Sequence, residues 1–88
     1  MAKLVISFDS YEAVDSYEGR QAIAQARAIP GVTGVRVYRA NSSPRYTLEL
    51  DADDGQVEEV QKKVEAQVAP YRGYLSNWNV RILREMKL

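Results

Sequence analysis

The fold is decided by residues 32–50, which read VTGVRVYRA, NSSP and RYTLEL in succession. Apolar and polar residues alternate in the first and third pieces, which is the period of a strand with one covered and one open face. The middle piece, residues 41–44, consists of residues that favour turns. The sequence therefore predicts two strands, residues 32–40 and 45–50, joined as a β-hairpin.

A helix is predicted on each side of this hairpin. Before it, Asp15 starts a capping-box pattern, and Pro30 is expected to end the helix because proline lacks the N–H group. After it, Asp53 or Asp54 is expected to cap a second helix that ends at Pro70. The apolar stripe of the first helix is predicted to be Ala22, Ile23, Ala26 and Ile29. That of the second is predicted to be Val57, Val60, Val64 and Val68.

Two further strands are predicted at the ends of the chain, at residues 4–8 and 78–83. The resulting order is βαββαβ, with no internal repeat and no linker, which predicts a single domain over residues 1–88. This order is typical of the α+β, ferredoxin-like sandwich, a four-stranded antiparallel sheet with two helices on one face. In that fold the first strand lies between the third and the fourth, and the second pairs with the third.

Composition excludes several classes of function. The chain has no cysteine and no histidine, so the residues that most often hold zinc or haem are missing, and we expect no metal and no cofactor. Basic and acidic residues number twelve each, which makes nucleic-acid binding improbable. No apolar run has the length of a signal peptide or membrane span, so we expect a cytoplasmic protein.

Alternation divides the predicted strands into two sets of side chains. The set expected to face the helices is Leu4, Ile6, Val35, Val37, Leu48, Leu50, Val80 and Ile82. The opposite set is Val5, Ser7, Arg36, Tyr38, Thr47, Glu49, Asn79 and Arg81. The second set holds the candidate ligand-binding residues, which are Arg36, Tyr38, Glu49, Asn79 and Arg81.

Two interpretations of these polar residues stay open. In the first, Arg36 and Glu49 are cross-strand charge pairs on a wet surface, each contributing roughly 0.2–1 kcal/mol. In the second, two sheets pack face to face, Arg36 and Arg81 anchor an anionic or carbonyl-bearing ligand, Tyr38 offers a hydroxyl group, and Glu49 is the one plausible base. No catalytic residue is identified, and whether the protein is an enzyme stays open.

The middle of the chain resembles the dimeric α/β-barrel superfamily, which includes antibiotic-biosynthesis monooxygenase-like and EthD-like proteins. The resemblance covers residues 22–68 and rests on the "PGV" that ends the first helix, on the "YR" of Tyr38 and Arg39, and on the strand that follows. It implies a homodimer with a cavity for a small organic ligand, and cofactor-independent oxygenase-like or isomerase-like chemistry.

A second segment resembles the small PurS subunit of a purine-pathway amidotransferase complex. It consists of Asp15 to Ala22 and the later Val35-Arg36-Val37. The spacing from aspartate to glycine is one residue longer than in that family, and Tyr38-Arg39 replaces its Gly-Lys. The resemblance implies a different class of function, a non-catalytic assembly or scaffold subunit of a larger enzyme complex.

Overall fold

Four strands and two α-helices follow one another in the predicted βαββαβ order in this computed structural model, which describes residues 1–10 and 17–88. The elements are β1 (Ala2–Ser10), α1 (Tyr17–Arg27), β2 (Val32–Arg39), β3 (Arg45–Ala52), α2 (Val57–Val68), a 3₁₀ helix (Ala69–Tyr74) and β4 (Leu75–Arg84). The predicted ferredoxin-like class is therefore confirmed.

The strands form one antiparallel sheet in the order β2-β3-β1-β4. This order places β1 between β3 and β4 and pairs β2 with β3, as predicted. Val5 lies opposite Glu49 on one side and opposite Arg81 on the other, while Arg36 lies opposite Glu49. One row of side chains thus runs across all four strands.

The buried core lies between the two helices and one face of the sheet. Seven of the eight residues predicted to face the helices belong to it or pack against it, so the predicted strand parity is confirmed. The eighth, Val37, is 36% exposed on the edge strand β2. The buried residues of this core are Ala2, Leu4, Ile6, Ala26, Ile29, Leu50, Ala52, Val57, Val60 and Val64.

The ends of the helices differ from the sequence prediction. The N-cap of α2 is Gln56, without a side-chain capping bond, so the prediction of Asp53 or Asp54 is wrong. The cause is the length of β3, which continues to Ala52 and leaves residues 53–56 for a turn in which the Gln56 N–H donates to the Asp53 carbonyl (2.9 Å). The helix α1 ends at Arg27, before Pro30, and the predicted cap Asp15 lies outside the described residues.

Gly31 makes the sharp connection between α1 and β2. Its φ is +95°, a conformation that residues with a β-carbon rarely adopt. A β-carbon at this position would also lie 2.5 Å from Oε1 of Gln56, although that flexible amide has room to move. The backbone conformation is therefore the stronger reason for glycine here.

We expect Gly31→Ala to lower the free energy of unfolding by about 1–2 kcal/mol, because alanine must be forced into the left-handed region. Gly73→Ala is the matched control, since a β-carbon there meets no atom within 4 Å and the φ of Gly73 is not positive. Urea denaturation followed by circular dichroism measures both. Equal stabilities of the two variants would contradict this explanation.

Candidate functional site

The candidate site is the sheet face turned away from the core, here called the uncovered face. All five predicted candidates, Arg36, Tyr38, Glu49, Asn79 and Arg81, have the strand parity of this face. The full set consists of Lys3, Val5, Ser7 and Asp9 of β1, Gly34, Arg36 and Tyr38 of β2, Arg45, Thr47, Glu49 and Asp51 of β3, and Asn79, Arg81 and Leu83 of β4.

One end of the uncovered face is a charge network centred on Arg36. Its guanidinium donates to both carboxylate oxygens of Asp51 at 2.9 Å and to Oε1 of Glu49 at 3.3 Å. The ammonium group of Lys3 also donates to Oε1 of Glu49, at 3.4 Å. Two cations and two carboxylates therefore balance one another, and two predicted ligand-binding residues, Arg36 and Glu49, are engaged with each other.

Asp51 is the member of this network that was not predicted. The strand was expected to end at Leu50, and Asp51 was therefore not assigned to either face. In the structure β3 continues to Ala52, which places Asp51 two residues beyond Glu49 on the same face. The alternation of Thr47, Glu49 and Asp51 is the sequence signal that could have identified it.

The bidentate pair changes the ionisation of both partners. Hydrogen bonds from Arg36 are the largest cause of a lowered pKa of the Asp51 carboxyl, and partial desolvation opposes them. The hydrogen bonds to Asp51, followed by the one to Glu49, raise the pKa of the Arg36 guanidinium. The paired, ionised form of both groups is thus the favoured one at neutral pH.

A second charge cluster lies at the other end of the uncovered face. Asp9 accepts a hydrogen bond from the Asn77 amide at 2.6 Å and one from Arg45 at 3.3 Å. A bulge in the pairing of β1 with β4 makes this contact, with Asn77 at a φ of +54°. The bond from Asn77, and then that from Arg45, lower the pKa of Asp9.

Between these two clusters the uncovered face is less charged. Val5 is only 6% exposed, and the hydroxyl groups of Ser7 and Thr47 lie 3.4 Å apart. Tyr38 is 49% exposed at the β2 edge. Asn79 and Arg81 are exposed on β4, the opposite edge. Of the five predicted candidates, Tyr38, Asn79 and Arg81 therefore have side chains without a hydrogen-bond partner among the described residues.

Arg81 differs from the other arginines of the uncovered face. Arg36 pairs with Asp51 and Glu49, and Arg45 pairs with Asp9. Within residues 1–10 and 17–88, Arg81 forms no ion pair and no side-chain hydrogen bond. It is the one strand cation on this face that has no anionic partner in the described part of the chain.

An aromatic row lies on the opposite, helix-facing side of the sheet. The ring of Phe8 stacks on those of Tyr46 (5.9 Å between centroids) and Trp78 (5.8 Å). The guanidinium of Arg72 lies 4.5 Å from the centre of the Trp78 ring, and that of Arg39 lies 5.7 Å from Tyr46. Stacking and cation–π contacts of this kind stabilise the aromatic side chains that pack against the core.

The described residues contain neither a metal-binding cluster nor a membrane-spanning helix. No group of three or more acidic residues in residues 1–10 and 17–88 is arranged to hold a metal ion. In the same part of the chain, no helix combines the length and the apolar character that crossing a membrane requires.

We expect Arg36→Gln to raise the pKa of the Asp51 carboxyl toward its ordinary value, because the bidentate hydrogen bonds are lost. Arg81→Gln is the control, since it removes the same charge from the same face without touching Asp51. Carbon-13 NMR titration of the aspartate carboxyl groups measures the change. An Asp51 pKa that responds equally to both substitutions would show a general charge effect and not this pair.

The same pair predicts how stability depends on pH. A carboxyl group whose pKa is lower in the folded chain stabilises it above the unfolded pKa and loses this contribution as the pH falls through the folded value. The wild-type protein should therefore lose stability on acidification below about pH 4. This loss should be smaller in Asp51→Asn, as measured by urea unfolding at several pH values. An unchanged pH dependence in Asp51→Asn would contradict the stabilising role of Asp51.

Comparison with known proteins gives structural relatives only. The sequence matches no protein-family model, and no curated protein matches it significantly. A solved antibiotic biosynthesis monooxygenase superposes with a TM-score of 0.73 at 14% identity, covering 99% of this chain and 100% of that one. SnoaB, a cofactor-independent oxygenase from Streptomyces nogalater, gives a TM-score of 0.74 at 12% identity and covers 99% and 94%.

A third structure, of a Pseudomonas aeruginosa protein, gives a TM-score of 0.64 at 20% identity and covers 98% of this chain and 94% of that one. These identities are too low to carry an activity across, but the coverage extends over nearly the whole of each chain. The fold of this protein is therefore that of the structures named as antibiotic biosynthesis monooxygenases, as the residues around Pro30 and Tyr38 indicated.

Proposed function

We propose that this protein is a homodimeric α/β barrel that binds a small organic molecule and belongs with the antibiotic biosynthesis monooxygenase-like proteins. In the dimer, the uncovered faces of two copies pack against each other. Support comes from the full-length likeness in fold to structures that include a cofactor-independent oxygenase. The second support is the distribution of charged side chains on the uncovered face.

The observation that carries the proposal is the internal balance of charges on this face. Arg36 holds two carboxylates, and Asp9 is held by Arg45 and Asn77, so most charges already have partners within one copy. A charge that is paired and hydrogen-bonded costs less to remove from water than an isolated one. This pairing suits a surface that a second copy covers.

The proposed chemistry is of the cofactor-independent, oxygenase-like or isomerase-like type. The chain has neither histidine nor cysteine, so a bound molecule would have to supply most of the reactivity itself. Tyr38, Asn79 and Arg81 are the groups that we propose to orient it through hydrogen bonds and charge. Arg36 and Glu49 are proposed to shape the site through their mutual pairing, and Glu49 would act as a base only after leaving Arg36.

The dimer is tested by a pair of matched tyrosine substitutions. Tyr38 on the uncovered face and Tyr71 in the 3₁₀ helix are each 49% exposed, so replacing either one should cost the folded protomer little. We expect Tyr38→Lys to weaken dimerisation at least tenfold, because a charge enters the interface, and Tyr71→Lys to leave it within about twofold. Sedimentation equilibrium measures both. A wild-type monomer, or equal effects of the two variants, would refute the proposed interface.

Ligand binding is tested by thermal unfolding in the presence of a library of small aromatic metabolites. A saturating ligand that stabilises the fold by 1 kcal/mol should raise the midpoint by roughly 4–8 °C in a domain of this size. The rise should be smaller in Tyr38→Lys than in Tyr71→Lys. If no compound raises the midpoint by about 1 °C, and the chain associates only with a larger enzyme, the assembly-subunit alternative is favoured.

A further inference from the structure

The uncovered face has a net charge although the whole chain has none. Within the strands, this face holds four cationic side chains, which are Lys3, Arg36, Arg45 and Arg81. It holds three anionic ones, which are Asp9, Glu49 and Asp51. The excess is one positive charge for each copy, and it lies at Arg81, because Lys3, Arg36 and Arg45 pair with the three carboxylates.

The surroundings of Arg81 fit an anionic group with an apolar body. Val5 lies directly across from it on β1 and is 6% exposed. Asn79 lies two residues along the same face of β4, opposite Ser7. Asn79 and Ser7 therefore lie on the same side of Arg81, at backbone spacings of about 7 Å, and bring an amide and a hydroxyl group to that side of it. Leu83, 47% exposed, continues the same face on the other side.

When two copies pair through this face, the excess positive charge is removed from water, which is energetically unfavourable. Both faces carry the same excess, so the described strand residues bring two positive charges without anionic partners to the interface, whatever the rotation between the copies. Burying a guanidinium without an anionic partner costs several kcal/mol. The negative side chains on the face do not remove the cost, because Asp9, Glu49 and Asp51 already hold the other cations.

We infer that Arg81, with Asn79 and Ser7, is the binding site for the negative group of the small organic ligand. The ligand class is a carboxylate or phenolate with an apolar body that rests on the exposed side chain of Leu83. A planar carboxylate suits the guanidinium because both of its oxygens can accept parallel hydrogen bonds. This inference rests on the proposed function, since the need for an anion arises when the face is covered.

Ligand binding and self-association are linked in this proposal, because one bound anion per copy neutralises the excess positive charge of the interface. A suitable anion should therefore strengthen dimerisation. Neutralising Arg81 should do the same in the absence of any anion. Neither effect is expected of an arginine outside the uncovered face, and exposed Arg27 in the last turn of α1 provides that comparison.

The test uses benzoate as the anionic probe and benzamide as its neutral counterpart, at matched ionic strength. Dimerisation of the wild-type protein, Arg81→Gln and Arg27→Gln is measured by sedimentation equilibrium, and affinity for each probe by thermal shift. We expect benzoate to bind wild type and Arg27→Gln roughly tenfold or more tightly than benzamide, and this preference to disappear in Arg81→Gln. Without a probe, Arg81→Gln should dimerise more tightly than either of the other two.

The outcomes separate this inference from the proposed function. A wild-type dimer that binds benzoate and benzamide equally, or an Arg81→Gln variant that keeps the preference, overturns the anion site and leaves the dimer standing. A benzoate effect that is lost equally in Arg81→Gln and Arg27→Gln indicates general charge attraction and also overturns it. A wild-type chain that stays monomeric with and without benzoate overturns both.

Discussion

The structure depends on one constraint, the placement of both helices on a single face of an antiparallel sheet. Because successive strand side chains point to opposite faces, this placement commits Leu4, Ile6 and Leu50 to the core. It commits the residues between them, such as Val5 and Glu49, to the other face. A slip of one residue in any strand would exchange the two sets, so the hydrophobic core fixes the position of every candidate functional group.

Within that constraint, the polar face is organised by charge compensation. The bidentate pair of Arg36 with Asp51 is the strongest contact, and Glu49 and Lys3 join it at slightly longer distances. Asp9 and Arg45 form a separate cluster at the other end. Between these clusters lies a central strip of small and uncharged groups, and at its edge the Arg81 guanidinium has no anionic partner among residues 1–10 and 17–88.

The sequence predicted the hairpin and the parity of all four strands because alternation runs through residues 32–40 and 45–50 and recurs in the outer strands. The pairing of Arg36 with Glu49 followed from that register. The sequence did not predict that Asp51 is the main partner of Arg36, since acidic residues just before a helix resemble helix-capping groups. The contact of Asn77 with Asp9 depends on a bulge, and a bulge changes pairing without a local sequence signature.

The proposed dimer requires that a second copy of this chain cover the uncovered face. It is tested most directly by isotope-filtered NMR on dimers that contain one labelled and one unlabelled copy. If the uncovered faces meet, intermolecular NOEs are expected that involve the methyl groups of Val5 and the rings of Tyr38. Intermolecular NOEs confined to α1 and α2, or none at concentrations where the protein is dimeric, would contradict it.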